Sequence, residues 1–283
     1  MPIKVGFVSL GCPKNLINTE TMISKCVDAG YDIVAEDIDA DVMVINTCAF
    51  IQSAKQEAID NVLDIAWLKK NRQLKGIVVA GCLAERYREE IFEKLPEVDC
   101  VIGTGSYVNI IEAVENAYNA RRYLRCDSPD TSPFGGGRVI TTPSHFAYIQ
   151  IAEGCDNRCT YCIIPALRGK YRSRPMSEIT DEVKEMASLG VKEICLVAQD
   201  TTRYGEDLYG SSRLDKLIRS LSEIAGIEWI RVLYCYPERV TDSLIEEFAV
   251  NPKLVKYIDV PIQHINDGIL KRMNRRGDSE TIK

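Results

Sequence analysis

The first 120 residues alternate short apolar runs with longer segments of helical periodicity. The apolar runs are IKVGFVSL, DVMVINTC, GIVVAGC and VDCVIGT. The helical segments include NLINTETMISKCVDAG and AERYREEIFEKL. Apolar strands separated by helices indicate a parallel sheet that is covered on both faces. The sequence therefore predicts an α/β domain with a doubly wound parallel sheet over residues 1–125.

Residues 126–145 interrupt this alternation with three prolines and three consecutive glycines, which is typical of a linker. A second series of strand–helix units follows, and its strands read FAYIQIAEGC, VKEICLVAQD, EWIRVLYC and KYIDVPIQ. Successive units of this kind, with polar or cysteine-bearing strand tips, predict part of a TIM-like (β/α) barrel over residues 146–283. Because the chain ends at Lys283 where a fifth unit would begin, we expect this barrel to be incomplete.

Charge and hydropathy exclude several classes of protein. The formal net charge is −6, which disfavours a protein whose main task is to grip nucleic-acid phosphates and suits a basic protein partner. The amino-terminal apolar run is too short for a signal peptide, and no stretch approaches the roughly 20 apolar residues of a membrane span. We therefore expect a cytoplasmic protein without membrane association. In a reducing compartment its 11 cysteines are expected to be ligands or core residues rather than disulfides.

Three cysteines of the first domain share one position relative to the predicted strands. Cys12, Cys48 and Cys82 each follow the end of a strand. Since the carboxyl ends of parallel strands meet at one edge of a sheet, these three thiols should lie together. The alternative for each is a small buried hydrophobic residue.

A second group of three, Cys155, Cys159 and Cys162, lies in EGCDNRCTYC after the first strand of the second domain. Structural zinc needs four closed ligands, and the chain has two histidines, of which His145 is the possible zinc ligand. Clustered thiolates also hold iron–sulfur clusters, and three of them leave one iron of a four-iron cluster open. The spacing favours the cluster and leaves zinc as the alternative.

The pattern C-x-x-x-C-x-aromatic-C, with Tyr161 as the aromatic residue, resembles the signature of radical S-adenosylmethionine (SAM) enzymes. A preceding α/β domain with three cysteines resembles the methylthiotransferases within that superfamily. The resemblance implies two 4Fe-4S clusters, and SAM bound at the open iron of the second. It also implies that the reduced cluster cleaves SAM to a radical that abstracts hydrogen. The implied metal ligands are Cys12, Cys48, Cys82, Cys155, Cys159 and Cys162, and no catalytic residue is assigned beyond them.

Three motifs, SLGCPKNLINTE, YIDVPIQHIND and CYPERVTD, resemble the branch of the family that modifies a ribosomal protein. That branch implies transfer of a methylthio group to the β-carbon of an aspartate in small-subunit ribosomal protein S-twelve, with flavodoxin or ferredoxin as electron donor. Methylthiolation of a tRNA adenosine is the alternative, and a non-catalytic, zinc-stabilised binding module is a second one. The family also has further barrel strands and a small β-domain (TRAM), so we expect this chain to be truncated at its carboxyl end.

Polar residues at the tips of the later strands are candidate SAM contacts, because residues at the carboxyl ends of barrel strands usually face the site. The basic segment RCTYCIIPALRGKYRSR adds an arginine whose guanidinium matches a carboxylate of SAM or of the substrate. Helix capping and loop hydrogen bonding are the alternatives for the strand-tip residues, and a solvated loop is the alternative for the arginine. The candidate cofactor contacts are Tyr161, Arg168, Gln199, Asp200, Arg231 and Gln263.

Overall fold

The computed structural model describes residues 1–131, 134 and 136–283, and these form two compact units. The first comprises Met1–Val139 together with Ala166–Arg168, and the second comprises Ile140–Pro165 with Gly169–Lys283. The predicted linker contains residues 132, 133 and 135, which lie outside the described residues. The predicted domain limits at 125 and 146 therefore stay a prediction. Within the described part of the chain, no helix is both long enough and apolar enough to cross a membrane.

The first unit is built on a six-stranded parallel sheet in the order β2-β1-β3-β4-β5-β6. Its strands are β1 Lys4–Ser9, β2 Asp32–Val34, β3 Val42–Thr47, β4 Gly76–Gly81, β5 Cys100–Ile102 and β6 Tyr123–Arg125. The winding direction reverses between β1 and β3. In such a sheet a crevice opens at that point, outside the carboxyl ends of the strands.

Helices cover both faces of this sheet. They are α1 Pro13–Asp28, α2 Gln52–Asn71, α3 Cys82–Tyr87, α4 Glu90–Lys94 and α5 Ile110–Tyr118. Alternate residues of β3 point to opposite faces. Val42 and Val44 join the core beneath α1 and α5, whereas Met43 and Ile45 join the core beneath α2 and α4. The predicted doubly wound α/β arrangement is confirmed.

Two details of the prediction are wrong. AERYREEIFEKL forms two short helices instead of one, because the chain turns between them at Arg88, whose φ is 44°. The edge strands β2 and β6 were not predicted. Each has 3 residues and is partly exposed, so neither produces a continuous apolar run.

The second unit contains a four-stranded parallel sheet in the order β12-β11-β10-β7 and a small antiparallel ribbon of β8 and β9. Its strands are β7 Phe146–Gln150, β8 Ala152–Glu153, β9 Arg172–Ser173, β10 Glu193–Val197, β11 Trp229–Val232 and β12 Leu254–Ile258. The remaining helices are α6 Ile164–Arg168, α7 Met176–Ser188, α8 Glu206–Tyr209, α9 Leu214–Ser222, α10 Asp242–Val250, α11 Asp267–Arg272 and α12 Ser279–Ile282.

Consecutive long strands of this sheet are spatial neighbours with helices between them, as in a (β/α) barrel. Ala147 and Ile149 of β7, with Ile194 and Leu196 of β10, pack beneath α7 and α9 in the core of the unit. The residues between them, such as Tyr148 and Cys195, point to the opposite face, because side chains alternate along a strand. The predicted partial barrel is confirmed.

Candidate functional site

Cys12, Cys48 and Cys82 lie together at the carboxyl ends of β1, β3 and β4, and form what we call the amino-terminal cysteine site. Thr47 pairs with Gly81 in the sheet, so Cys48 and Cys82 leave adjacent strands at matching positions. Cys12 precedes the first turn of α1. Burial is the main cause that raises the pKa of Cys82, and the negative charges of Cys48 and Cys12 add to the rise. The three thiols are therefore close enough to interact, as expected for strand ends at a crevice.

Asn15 organises the loops of this site and is completely buried. Its side-chain amide donates to the backbone oxygens of Leu10 and Thr47, both at 2.9 Å. Asn46 donates in turn to the backbone oxygen of Asn15 at 2.8 Å. These bonds join the loop after β1 to the end of β3, and so fix the two backbones that carry Cys12 and Cys48.

Arg168 also belongs to this site, although the sequence predicts it as a SAM contact. Its guanidinium is buried, with 4% of the residue exposed. It donates to the side-chain oxygens of Asn15 and Asn18, the latter at 2.9 Å, and its hydrogen bond to Cys82 lowers the pKa of that thiol. Its role as a SAM contact stays a prediction, and the contacts described here are with the amino-terminal cysteine site.

Positive charge favours the thiolate form at this site. Burial pushes the pKa of Cys12 upward, but Lys14, Arg168 and two backbone N–H groups outweigh it and leave that pKa below its usual value. Burial also raises the pKa of Cys82, and Arg168 opposes the rise. Because metals bind the thiolate rather than the thiol, these cations prepare the site for metal ligation.

The backbone of Gly11 passes close to Cys48. Gly11 has a φ of +91°, and a Cβ at that position would lie 2.6 Å from Cys48 Cβ and 3.1 Å from Cys48 Sγ. A side chain at residue 11 would therefore fill the volume next to the thiol. Three clustered thiols are the ligands expected for an iron–sulfur cluster held by three cysteines. Two cations stabilise their thiolate form, and Gly11 places no side chain beside Cys48.

Cys155, Cys159 and Cys162 form the carboxyl-terminal cysteine site, in the loop that follows β7 and β8. Burial raises the pKa of Cys155 to about 11, with smaller contributions from neighbouring negative groups that include both other cysteines. The three thiols are therefore neighbours here as well. The backbone N–H of Cys155 donates to Gly169 O at 3.0 Å. Gly154, at a φ of +81°, lets the loop pass Lys170 O so closely that an added Cβ would clash with it.

Two residues that the sequence did not single out contact this loop. The hydroxyl of Tyr236 lies 4.0 Å from Cys159 Sγ. The guanidinium of Arg275 lies 4.1 Å from the centre of the Tyr236 ring and hydrogen bonds with Cys159. Tyr236 follows β11 within CYPERVTD, so its position after a barrel strand was a usable signal. Arg275 lies in the basic sequence NRRGD beyond α11, where no local pattern indicates a site.

Among the predicted SAM contacts, Gln199 has the environment most suited to a ligand. It is buried after β10 and donates its side-chain amide to Glu153, whose other carboxylate oxygen accepts from Gln150 at 2.6 Å. Its carbonyl oxygen Oε1 is buried and has no hydrogen-bond partner among the described residues. An acceptor fixed by its own amide group and left without a donor is suited to a polar ligand.

The other predicted contacts have structural partners or are exposed. Asp200 accepts hydrogen bonds from Asn157 and Thr202, and burial raises its pKa. Arg231 pairs with Glu193 of the neighbouring strand at 2.7 Å. Tyr161 and Gln263 are exposed. Their contacts with SAM stay predictions.

The zinc alternative receives no support from His145. This residue is exposed and precedes the amino end of β7, whereas the cysteine loop follows the carboxyl end of that strand. In the described part of the chain, no three His, Cys, Asp or Glu side chains converge closely enough to hold one metal ion. A four-iron cluster needs a wider arrangement, because each thiolate binds a different iron.

Two family models match the chain. Residues 4–103 match a family described as "Uncharacterized protein family UPF0004", and residues 149–283 match the radical SAM superfamily. The first match contains the amino-terminal cysteine site, and the second contains the carboxyl-terminal one.

Curated relatives match along nearly the whole chain. The chain is 51% identical to the ribosomal protein uS12 methylthiotransferase RimO of Clostridium tetani and 50% identical to that of Clostridium kluyveri, over 99% of its own length in both cases. It spans 63% of the length of each of these relatives.

Solved structures share the fold at low sequence identity. The radical SAM methyltransferase TsrM from Kitasatospora setae, with tryptophan and a SAM analogue bound, matches with a TM-score of 0.66 at 12% identity. That match covers 99% of this chain and 64% of TsrM. The cobalamin-dependent radical SAM enzyme OxsB matches with a TM-score of 0.62 at 12% identity, over 99% of this chain and 46% of OxsB. These low-identity matches show the fold alone. The two family models and the RimO proteins that match along 99% of the chain show that it belongs to the methylthiotransferase family of radical SAM proteins.

Proposed function

We propose that this chain forms the cluster-binding part of a radical SAM methylthiotransferase, which adds a methylthio group to the β-carbon of an aspartate in ribosomal protein uS12. The observation that carries the proposal is the pair of three-cysteine sites, one in each unit. The first gathers its thiols from the ends of three parallel strands, and the second carries its thiols in one loop after β7 and β8. The names of the curated relatives and the motif SLGCPKNLINTE support the substrate.

Each site would hold a 4Fe-4S cluster through its three thiolates and leave one iron open. When bound, a cluster on Cys155, Cys159 and Cys162 would supply the electron for SAM cleavage, and a cluster on Cys12, Cys48 and Cys82 would supply a place for the transferred sulfur. A C–H bond at the β-carbon is not acidic enough for removal by an ordinary base, which is why such cofactors are required.

The protein's own residues prepare these sites. Lys14 and Arg168 favour ionised thiols at the amino-terminal cysteine site. Tyr236 and Arg275 lie against Cys159 in the carboxyl-terminal cysteine site. Gln199, held in place by Glu153, offers its free carbonyl oxygen to a donor group of SAM.

Anaerobic reconstitution tests the two-cluster arrangement. We expect about eight irons per chain and broad absorption near 400 nm, as for ligated clusters. Cys155→Ala should abolish SAM cleavage, whereas Cys48→Ala should keep cleavage and lose methylthio transfer. Cys126→Ala, which removes a half-buried cysteine outside both sites, is the matched control and should keep both reactions. A colourless protein with stoichiometric zinc would overturn the proposal.

The substrate is tested by mass spectrometry of ribosomal proteins and tRNA from a strain that lacks the gene. We expect the methylthio group to disappear from uS12 and to remain on tRNA. Loss from tRNA alone would reject uS12 and favour the tRNA alternative.

We further propose that the protein acts in the cytoplasm, where ribosomal proteins are found, and receives electrons from a flavodoxin or ferredoxin. In the reconstituted system either donor should replace a chemical reductant in SAM cleavage. Cleavage supported by the chemical reductant alone would reject these donors.

A further inference from the structure

We propose that Arg168 is a positioning residue of the amino-terminal cysteine site and that its charge raises the reduction potential of the cluster held there. This inference rests on the proposed function in one respect, namely that Cys12, Cys48 and Cys82 hold an iron–sulfur cluster. The role assigned to Arg168 is at the amino-terminal cysteine site. In the sequence, however, Arg168 lies only six residues after Cys162, which belongs to the carboxyl-terminal cysteine site.

The geometry of Arg168 fixes its guanidinium in one place. The side chain is buried and donates to two amide oxygens, one on Asn15 and one on Asn18, in the first turns of α1. Asn15 is itself held by the backbones of Leu10 and Thr47. Because the planar guanidinium is rigid, bonds to these partners set its orientation as well as its position.

The guanidinium also acts on two of the three thiols. It hydrogen bonds with Cys82, and among the charges that act on Cys82 it ranks ahead of Cys48 and Cys12. It acts on Cys12 as well, together with Lys14. One buried cation therefore serves at least two of the three proposed ligands.

This arrangement has a redox consequence. A cluster gains one negative charge when it is reduced, and a buried positive charge nearby stabilises the reduced form more than the oxidised form. Hydrogen bonds to ligand sulfurs act in the same direction. Since arginine stays protonated throughout the accessible pH range, the effect should not change with pH in the native chain.

The experiment uses the full chain with Cys155→Ala, Cys159→Ala and Cys162→Ala, so that only the amino-terminal site takes up iron. In this background Arg168→Gln should lower the midpoint potential in a redox titration. We expect the reduced-to-oxidised ratio at a fixed potential to fall at least tenfold, which is 59 mV for a one-electron couple. Arg168→Lys, which keeps the charge, should stay within threefold of the parent ratio. Arg72→Gln removes an exposed charge at the end of α2 and should leave the ratio unchanged.

Each outcome decides a different question. If the parent background takes up no iron, the proposed cluster on Cys12, Cys48 and Cys82 fails, and the two-cluster function fails with it. If Arg168→Gln takes up about four irons with the parent midpoint, the cluster stands and the role of Arg168 is rejected.

A third variant covers the case in which Arg168→Gln does not take up iron. Arg168→His carries a charge below a pKa near 6.5 and loses it above. Its midpoint should therefore fall as pH rises through that region, while the parent's should not. A midpoint that follows the parent's at every pH would show a purely structural role and overturn the inference.

Discussion

The side-chain amide of Asn15 donates to the backbone oxygen of Thr47 at 2.9 Å, and so joins the start of α1 to the end of β3. Asn46, next to Thr47, returns a bond to the backbone oxygen of Asn15 at 2.8 Å. This reciprocal connection spans the point at which the sheet reverses its winding. The positions of Cys12 and Cys48 are therefore set by hydrogen bonds within the chain, which do not require a bound metal.

Asn15→Ala should destabilise the metal-free protein. The substitution leaves two backbone oxygens, those of Leu10 and Thr47, without their donor, and a buried unsatisfied group costs about 1–3 kcal/mol. We expect the free energy of unfolding in urea to fall by about 3 kcal/mol. Asn61→Ala removes a similar bond to Glu57 O at the helix surface and should change it by less than about 0.5 kcal/mol. Equal effects of the two variants would contradict this account.

Gly11→Ala should empty the amino-terminal site of iron. The new Cβ would approach Cys48 Cβ to 2.6 Å at a backbone φ of +91°. The matched control is Gly30→Ala, which bears similar backbone strain at a φ of +81°. Apart from its chain neighbours, its new Cβ would have no atom of the described chain within 4 Å. After reconstitution we expect iron to fall from about eight to about four per chain in Gly11→Ala and to stay near eight in Gly30→Ala. Full iron content in Gly11→Ala would refute the predicted contact with Cys48.

In the metal-free protein, alkylation should distinguish Cys12 from Cys162, two cysteines of intermediate exposure. Positive charges keep the pKa of Cys12 below the ordinary value of 9.0, whereas burial raises that of Cys162 above it. Because the thiolate is the nucleophile, the rate rises as pH passes the pKa. Iodoacetamide labelling followed by peptide mass spectrometry should give a half-maximal rate below pH 9 for Cys12 and above pH 9 for Cys162. The reverse order would show that the cations do not control Cys12.

Gln199→Met should weaken the binding of SAM while preserving side-chain volume. The variant removes the free acceptor Oε1, and the Gln150 bond still holds Glu153. Loss of one hydrogen bond of about 1 kcal/mol corresponds to a roughly five- to tenfold higher Kd. Equilibrium dialysis of the reconstituted protein with labelled SAM measures it, with the exposed Gln73→Met as control. An unchanged Kd would remove Gln199 from the list of contacts.

The central strands of the sheet could be predicted from the sequence because both of their faces are buried. β3 and β4 consist entirely of buried residues, which gives continuous apolar runs. The edge strands β2 and β6 lack this signal, since an edge strand packs on fewer neighbours. The separation of α3 from α4 at Arg88 could not be predicted either. A positive φ at a residue other than glycine, asparagine or aspartate has no recognisable sequence pattern.

The amino-terminal cysteine site could be predicted because strand order alone brings three strand ends together, and the carboxyl-terminal site because its three cysteines lie close together in the sequence EGCDNRCTYC. The environment of Arg168 could not be predicted from the sequence. Its partner Asn15 lies 153 residues away, so no local spacing connects the two. The arginine-rich segment predicted a contact with an anion, which stays a prediction, and gave no sign of the hydrogen bonds to two amide oxygens and a thiol.

The long separation between Asn15 and Arg168 also has a meaning for biosynthesis. A ribosome that has added Asn15 adds the next 153 residues, up to Arg168, in on the order of ten seconds. During that interval Cys12, Cys48 and Cys82 have already been synthesised, and the strands that carry them can pair, but their guanidinium partner does not yet exist. The nascent amino-terminal domain thus first presents its thiols without this cation, and only later synthesis supplies it.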